Sequence, residues 1–98
     1  MVSLNWTEES ERWLRDIFGY IATDNPEAAQ RVILGIFERA QILSRFPEIG
    51  HRFHSAPESN IRILLYGHYR IAYWVKPDGD IDILGVFHGA LDIDRYLP

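Results

Sequence analysis

Arg52, Arg62 and Arg70 share residues 50–75 with His51, His54 and His68. That stretch has one acid, Glu58, so it carries +2 inside a chain of net charge −4. Residues 1–49 and 76–98 each carry −3, with five Arg against eight acids and Lys76 plus Arg95 against five Asp. The middle third is therefore the one region suited to face an anion. Nine of the ten basic residues are Arg. A guanidinium makes planar, bidentate contacts, which favours protein interfaces and phosphates. The overall acidity opposes a polyanion, so nucleic acid would need a local patch.

Other chemistries find little support. With no cysteine, disulfides, thiolate metal sites and thiol nucleophiles are excluded. His51 and His54 lie in a polar stretch without a carboxylate cluster, so no dedicated metal site is expected. Ser10, Ser55 and Ser59 lack a nucleophile-elbow context. The glycines form no phosphate-cradling loop, and no cofactor is expected.

At 98 residues and 47% hydrophobic content, one domain spanning 1–98 is expected. No run of 18 apolar residues marks a membrane span. The start, Met1 to Trp6, lacks the basic-then-apolar pattern of a signal peptide, and the expectation is a cytoplasmic protein without a membrane partner.

The elements that must position these residues are legible from periodicity. Val2, Leu4 and Trp6 alternate with polar residues, as in a short strand. Thr7 is placed to cap a helix, followed by Glu8, Glu9 and Glu11 at the positive end of its dipole. Trp13, Leu14, Ile17, Phe18 and Ile21 give that helix a stripe over roughly Glu8 to Thr23. Asn25-Pro26 caps and starts a second helix, ending by about Phe46 before Pro47. Residues 51–59 read as a polar loop. Strands follow at 61–66, 68–76 and 80–88. The order predicts an α+β fold. A two-helix antiparallel hairpin packs on one face of a four-stranded, mainly antiparallel sheet, with a short C-terminal tail or helix.

Lys76-Pro77-Asp78-Gly79-Asp80 fits a three-residue hairpin loop with Gly79 left-handed. This pairs Lys76 with Asp80. Strict alternation from there puts Tyr69, Ile71, Tyr73 and Val75 with Ile81, Ile83, Gly85 and Phe87 against the helices. The opposite face then carries Arg62, Leu64, Arg70, Trp74, Leu84, Val86 and His88, with Arg70 across from Val86. This mixed face is either a partner site or a surface covered by the tail, Gly89 to Pro98.

Five segments in order resemble the RelE/ParE toxin superfamily. They are Asp24-Asn25-Pro26-Glu27-Ala28-Ala29, Phe46-Pro47-Glu48-Ile49-Gly50, Ile61-Arg62-Ile63-Leu64-Leu65-Tyr66, His68-Tyr69-Arg70-Ile71-Ala72-Tyr73, and Ile83 through Asp92. The resemblance spans roughly residues 2–97 and is strongest to the ParE-like branch. It implies the toxin of a bacterial type II toxin–antitoxin pair, of the kind that stabilises plasmids. A cognate antitoxin would dock on the first helix and the open part of the sheet.

Two mechanisms divide the superfamily. ParE-like members bind DNA gyrase by protein contact and need no catalytic set. On that reading Arg62, Arg70 and His88 serve folding and binding, pairing with Asp82, Asp92 or backbone carbonyls. RelE-like members cleave mRNA on the ribosome. That chemistry needs an acid, a base and cationic stabilisation of the phosphorane-like transition state. Arg70 and His88 match positions of that branch, but no Glu or Lys matches the remainder and Gly89 replaces a frequent Tyr. A third possibility is an inactive module that only holds its antitoxin.

Overall fold

The computed structural model describes residues 2–55, 58–89, 91 and 93–97. Strand β1 (Leu4–Trp6) leads into helices α1 (Glu8–Ala22) and α2 (Pro26–Ala40). A 3-10 turn (Gln41–Ser44) follows, then β2 (His51–Arg52), β3 (Ile61–Tyr66), β4 (Tyr69–Val75) and β5 (Ile81–His88). A second 3-10 turn covers Ile93–Arg95. The five strands form one sheet in the order β1-β5-β4-β3-β2. Only the β1–β5 pairing is parallel, with Leu4 beside Ile81 and Trp6 beside Ile83. The expected four strands become five, because the polar stretch 51–59 contains the two-residue β2. That strand pairs with β3 through His51–Ile63 and Arg52–Arg62.

The helix starts follow the chemistry of their caps. Thr7 Oγ1 accepts from Ser10 N at 3.1 Å and donates to Ile83 O at 2.7 Å, so the cap also pins α1 to β5. Asn25 Oδ1 accepts from Ala28 N, with Pro26 in the first turn of α2. The α-helix stops at Ala40, short of the expected Phe46, and tightens into the 3-10 turn before Pro47. The 76–80 hairpin closes as its residues dictate: Lys76 N donates to Asp80 O at 2.8 Å and Gly79 has φ +93°.

Both faces of the sheet are covered. One apolar cluster joins Leu14, Ile36 and Leu43 of the helical layer to Leu64, Ile71, Tyr73, Ile81, Ile83 and Val86. On the other face Phe53, Ile61, Ile63, Ala72, Phe87 and Ile93 form a second cluster, with Trp13, Trp74, Leu84, Leu91 and Leu97 against it. The described tail residues Leu91, Ile93 and Leu97 thus lie over the sheet, in line with the alternative of coverage by the tail. Tyr96 stacks on Phe87 at 5.8 Å and meets Trp13 edge-on at 5.0 Å, which fastens the tail to α1 as well.

The expected strand parity holds only at the 76–80 end. Val75–Ile81 and Tyr73–Ile83 pair as predicted, but a β-bulge follows and Ala72 pairs with Gly85. Leu84 is the extra residue. Beyond it Ile71 faces Val86, Arg70 faces Phe87 and Tyr69 faces His88. Phe87 therefore leaves the helix side and Val86 joins it, the reverse of the prediction. The 66–69 hairpin shifts β3 as well. Gly67 (φ +56°) occupies the first position of a two-residue loop, as in a type II′ turn, and Tyr66 pairs with Tyr69. Even-numbered residues of β3 thus share a face with odd-numbered residues of β4.

Candidate functional site

The seven residues expected on one open face divide between two. Arg70, Trp74 and Leu84 lie on the face away from the helices, as predicted. Leu64 and Val86 are buried in the helix-side core, at 3% and 0% exposure. Arg62 and His88 pair with Tyr73 and Tyr69, so they too belong to the helix side, at opposite ends of the sheet. The bulge at Leu84 moves Val86 and His88, and the two-residue turn moves Arg62 and Leu64.

Arg62 acts on a loop. Its Nη1 donates to Gly50 O at 2.8 Å and Glu48 O at 3.1 Å, and its Nε donates to Asn60 Oδ1 at 2.9 Å. Tyr73 works beside it from inside the core. The Tyr73 hydroxyl donates to Pro47 O at 2.8 Å and accepts from Gly50 N at 2.9 Å. Burial pushes the Tyr73 phenol above its ordinary value, opposed in part by the Gly50 N–H. A Cβ at Gly50 would lie 2.7 Å from both Ile63 O and the Tyr73 hydroxyl, so only glycine allows this approach. The Phe46–Gly50 motif is thereby clamped to the sheet. Nothing in the alternation of β4 marks Tyr73 as the residue that serves this loop.

Arg70 holds the tail. Its Nη2 donates to Leu91 O at 2.7 Å and reaches Gly89 O at 3.5 Å. Its Nε is buried with no partner among the described residues. The expected carbonyl partners of Arg62 and Arg70 are therefore present. Asp82 instead takes Lys76 Nζ at 3.3 Å and Asn5 Nδ2 at 3.2 Å. Asp92, the other expected partner, lies outside the described residues.

His88 is exposed at the end of β5, edge-on to Tyr69 at 5.7 Å and near-parallel to His68 at 6.3 Å. A shallow cleft joins His88, His68, Tyr69 and Arg70. On its other side His88 borders a groove of about 480 Å3 between α1 and the sheet, walled by Trp13, Ile17, Tyr20, Tyr69 and Leu91. Burial, with a smaller contribution from Tyr20, raises the Tyr69 phenol above its usual range. Tyr20 is 84% exposed on the rim of this groove. No group of three or more His, Asp or Glu among the described residues could hold a metal ion. No helix among them is long and apolar enough to cross a membrane.

Comparison with known proteins fits this architecture. Residues 4–93 match the family described as the ParE toxin of type II toxin–antitoxin systems, parDE. The fold superposes on a chain of the chromosomal ParDE toxin–antitoxin system from P. aeruginosa, with a TM-score of 0.74 and 25% identity, over 90% of this chain and 96% of that one. It also superposes on a chain of the RelBE2 toxin–antitoxin complex from Mycobacterium tuberculosis, with a TM-score of 0.67 and 21% identity, over 89% and 96% of the two chains. That second likeness is one of fold. No curated protein matches the sequence. With nine-tenths of its length covered by the family match, the chain belongs to the ParE toxin family of type II toxin–antitoxin systems.

Proposed function

We propose that this toxin arrests growth by binding DNA gyrase through protein–protein contact, and that a cognate antitoxin neutralises it. The observation that carries the reading is how Arg70, the candidate catalytic arginine, and its companion Arg62 are employed. Arg62 is tied to Glu48 O, Gly50 O and Asn60, and Arg70 to Leu91 O and Gly89 O. Both guanidinium groups hold backbone in place, whereas phosphoryl-transfer chemistry needs a cation aimed at the reacting phosphate. The neutralising segment of the antitoxin is assigned to the apolar groove beside α1, where Trp13, Ile17, Tyr20 and Tyr69 offer anchors for an amphipathic helix.

Purified toxin is expected to block supercoiling by gyrase and to leave ribosome-bound mRNA intact. Codon-specific cuts seen by primer extension would overturn the proposal. Such cuts would support ribosome-dependent mRNA cleavage, which the cleft shared by His68, His88 and Arg70 favours. In that case His88→Ala or Arg70→Ala abolishes the cuts.

A further inference from the structure

The groove beside α1 is apolar except at one point. Asp16 is its single carboxylate, about one turn from Trp13 on one side and from Tyr20 on the other, on the same face of α1. Tyr69 of β4 and His88 at the end of β5 stand on the opposite wall. Tyr69 feels the charge of Tyr20 across the gap, so the two rings face a common space. Asp16 is exposed and forms no ion pair among the described residues. Arg12, one turn earlier, lies within its electrostatic reach but is bonded to Glu9. A carboxylate set among aromatic rings is the arrangement that attracts a cation, because the ring faces are themselves electron-rich.

We propose that this groove takes an arginine side chain from the apolar face of the antitoxin's helix, with Asp16 as its counter-charge and Tyr20 and Tyr69 as its aromatic walls. The inference rests on the groove being the seat of that helix and adds the chemistry that selects it. A helix laid over the groove strips water from Asp16. A desolvated carboxylate without a partner is costly, so an occupant that is apolar throughout is penalised. An acidic occupant is repelled outright. The walls agree in sign: α1 holds four acids against Arg12 and Arg15, and residues 76–98, which supply His88 and Leu91, carry −3. Arg70, next to Tyr69, lies on the far face of the sheet and is held by Leu91 O. A guanidinium suits the space better than an ammonium, because it is planar, stacks on rings and is more weakly hydrated. Asp16 and Tyr20 are therefore assigned as determinants of which antitoxin this toxin accepts.

The test uses the whole chain and three fluorescein-labelled peptides read by anisotropy. The first is Leu-Ala-Gln-Leu-Ala-Ala-Gln-Arg-Ala-Ala-Leu-Gln-Ala-Leu, whose leucines and single arginine share one face of a helix. The other two carry Gln or Glu in place of that arginine. The Arg peptide is expected to bind about tenfold tighter than the Gln peptide, and the Glu peptide weakest of all. Asp16→Asn should abolish the preference for Arg over Gln, and Asp16→Lys should invert the order in favour of Glu. Tyr20→Ala should weaken the Arg peptide more than the Gln peptide. Glu38→Gln, on α2 and outside the groove, leaves all three unchanged. Asp16 and Tyr20 are exposed, so their variants keep the fold. Equal binding of the Arg and Gln peptides overturns the inference and leaves the groove as a purely apolar seat. A preference for Arg that survives Asp16→Asn also overturns it. Binding of none of the three overturns the groove assignment together with it. The gyrase assay is independent of these readouts, so the proposed activity and this inference can each fail alone.

Discussion

Replacing Tyr73 with Phe removes a single oxygen that serves two backbone groups. The ring is fully buried, and the hydroxyl joins Pro47 O at 2.8 Å and Gly50 N at 2.9 Å. Phe fills nearly the same space, so the cost is polar. Gly50 is itself buried, and its N–H would be left without its acceptor. An orphaned buried donor costs ~1–3 kcal/mol, and the bond to Pro47 O contributes ~1 kcal/mol more, so a loss of about 3 kcal/mol is expected. For a domain of this size that lowers the melting temperature by roughly 12–24 °C. Urea unfolding followed by Trp fluorescence would read the change as a lower midpoint at unchanged slope. The experiment has a second arm in pH. Burial raises the Tyr73 phenol in the folded state, so ionisation works against the fold. Its contribution is whole below the unfolded value of about 10 and is lost as pH rises through the higher folded value. Wild type should therefore lose stability above that pH. Tyr73→Phe should lose less there, retaining only the share due to Tyr69, whose phenol is raised as well. A penalty under about 0.5 kcal/mol would be no larger than that of an ordinary surface substitution. Together with an unchanged alkaline limb, it would refute the view that this hydroxyl fastens the 47–50 loop.

Gly85→Ala would place a methyl 2.5 Å from Phe87 Cζ inside the second core, and urea unfolding should show a loss of about 1–3 kcal/mol from overpacking. Thr7→Ala removes the α1 cap and its bond to Ile83 O; a loss of about 1–2 kcal/mol is expected in the same assay. Gly35→Ala sets a methyl 1.8 Å from the Tyr66 hydroxyl. Thermal unfolding should show destabilisation despite the better helix former, and Tyr66→Leu added to it should recover part of the loss.

The local chemistry was legible where one residue type has one reason to be present. Thr7 and Asn25 cap helices, Pro26 opens one, and Gly79 takes the left-handed position of its hairpin. Alternation failed in the sheet for a physical reason. Apart from Arg62 and Asp82, Ile61 to Tyr66 and Ile81 to Phe87 are apolar on both sides because both faces are covered, and a strand buried on both faces carries little phase information. An extra residue such as Leu84 then passes unseen, since either register buries something greasy. A two-residue Gly67-His68 loop would have assigned the face of β3, because such a loop pairs the residues three apart. The roles of Arg62 and Arg70 depended on where loop and tail carbonyls fell, and those groups carry no mark in the sequence. The two-residue β2 is too short for any periodicity.

The parallel seam between β1 and β5 joins residues 77 positions apart. A chain emerging from the ribosome delivers the helical pair well before the strand that receives both Thr7 and Leu4. Contacts of such long sequence separation are slow to close. The nascent toxin would remain an unfinished sheet, without the walls of its grooves, until residues 81–88 have been made. Its ability to act would therefore begin only once that strand is in place, which leaves a partner translated alongside it time to be present first.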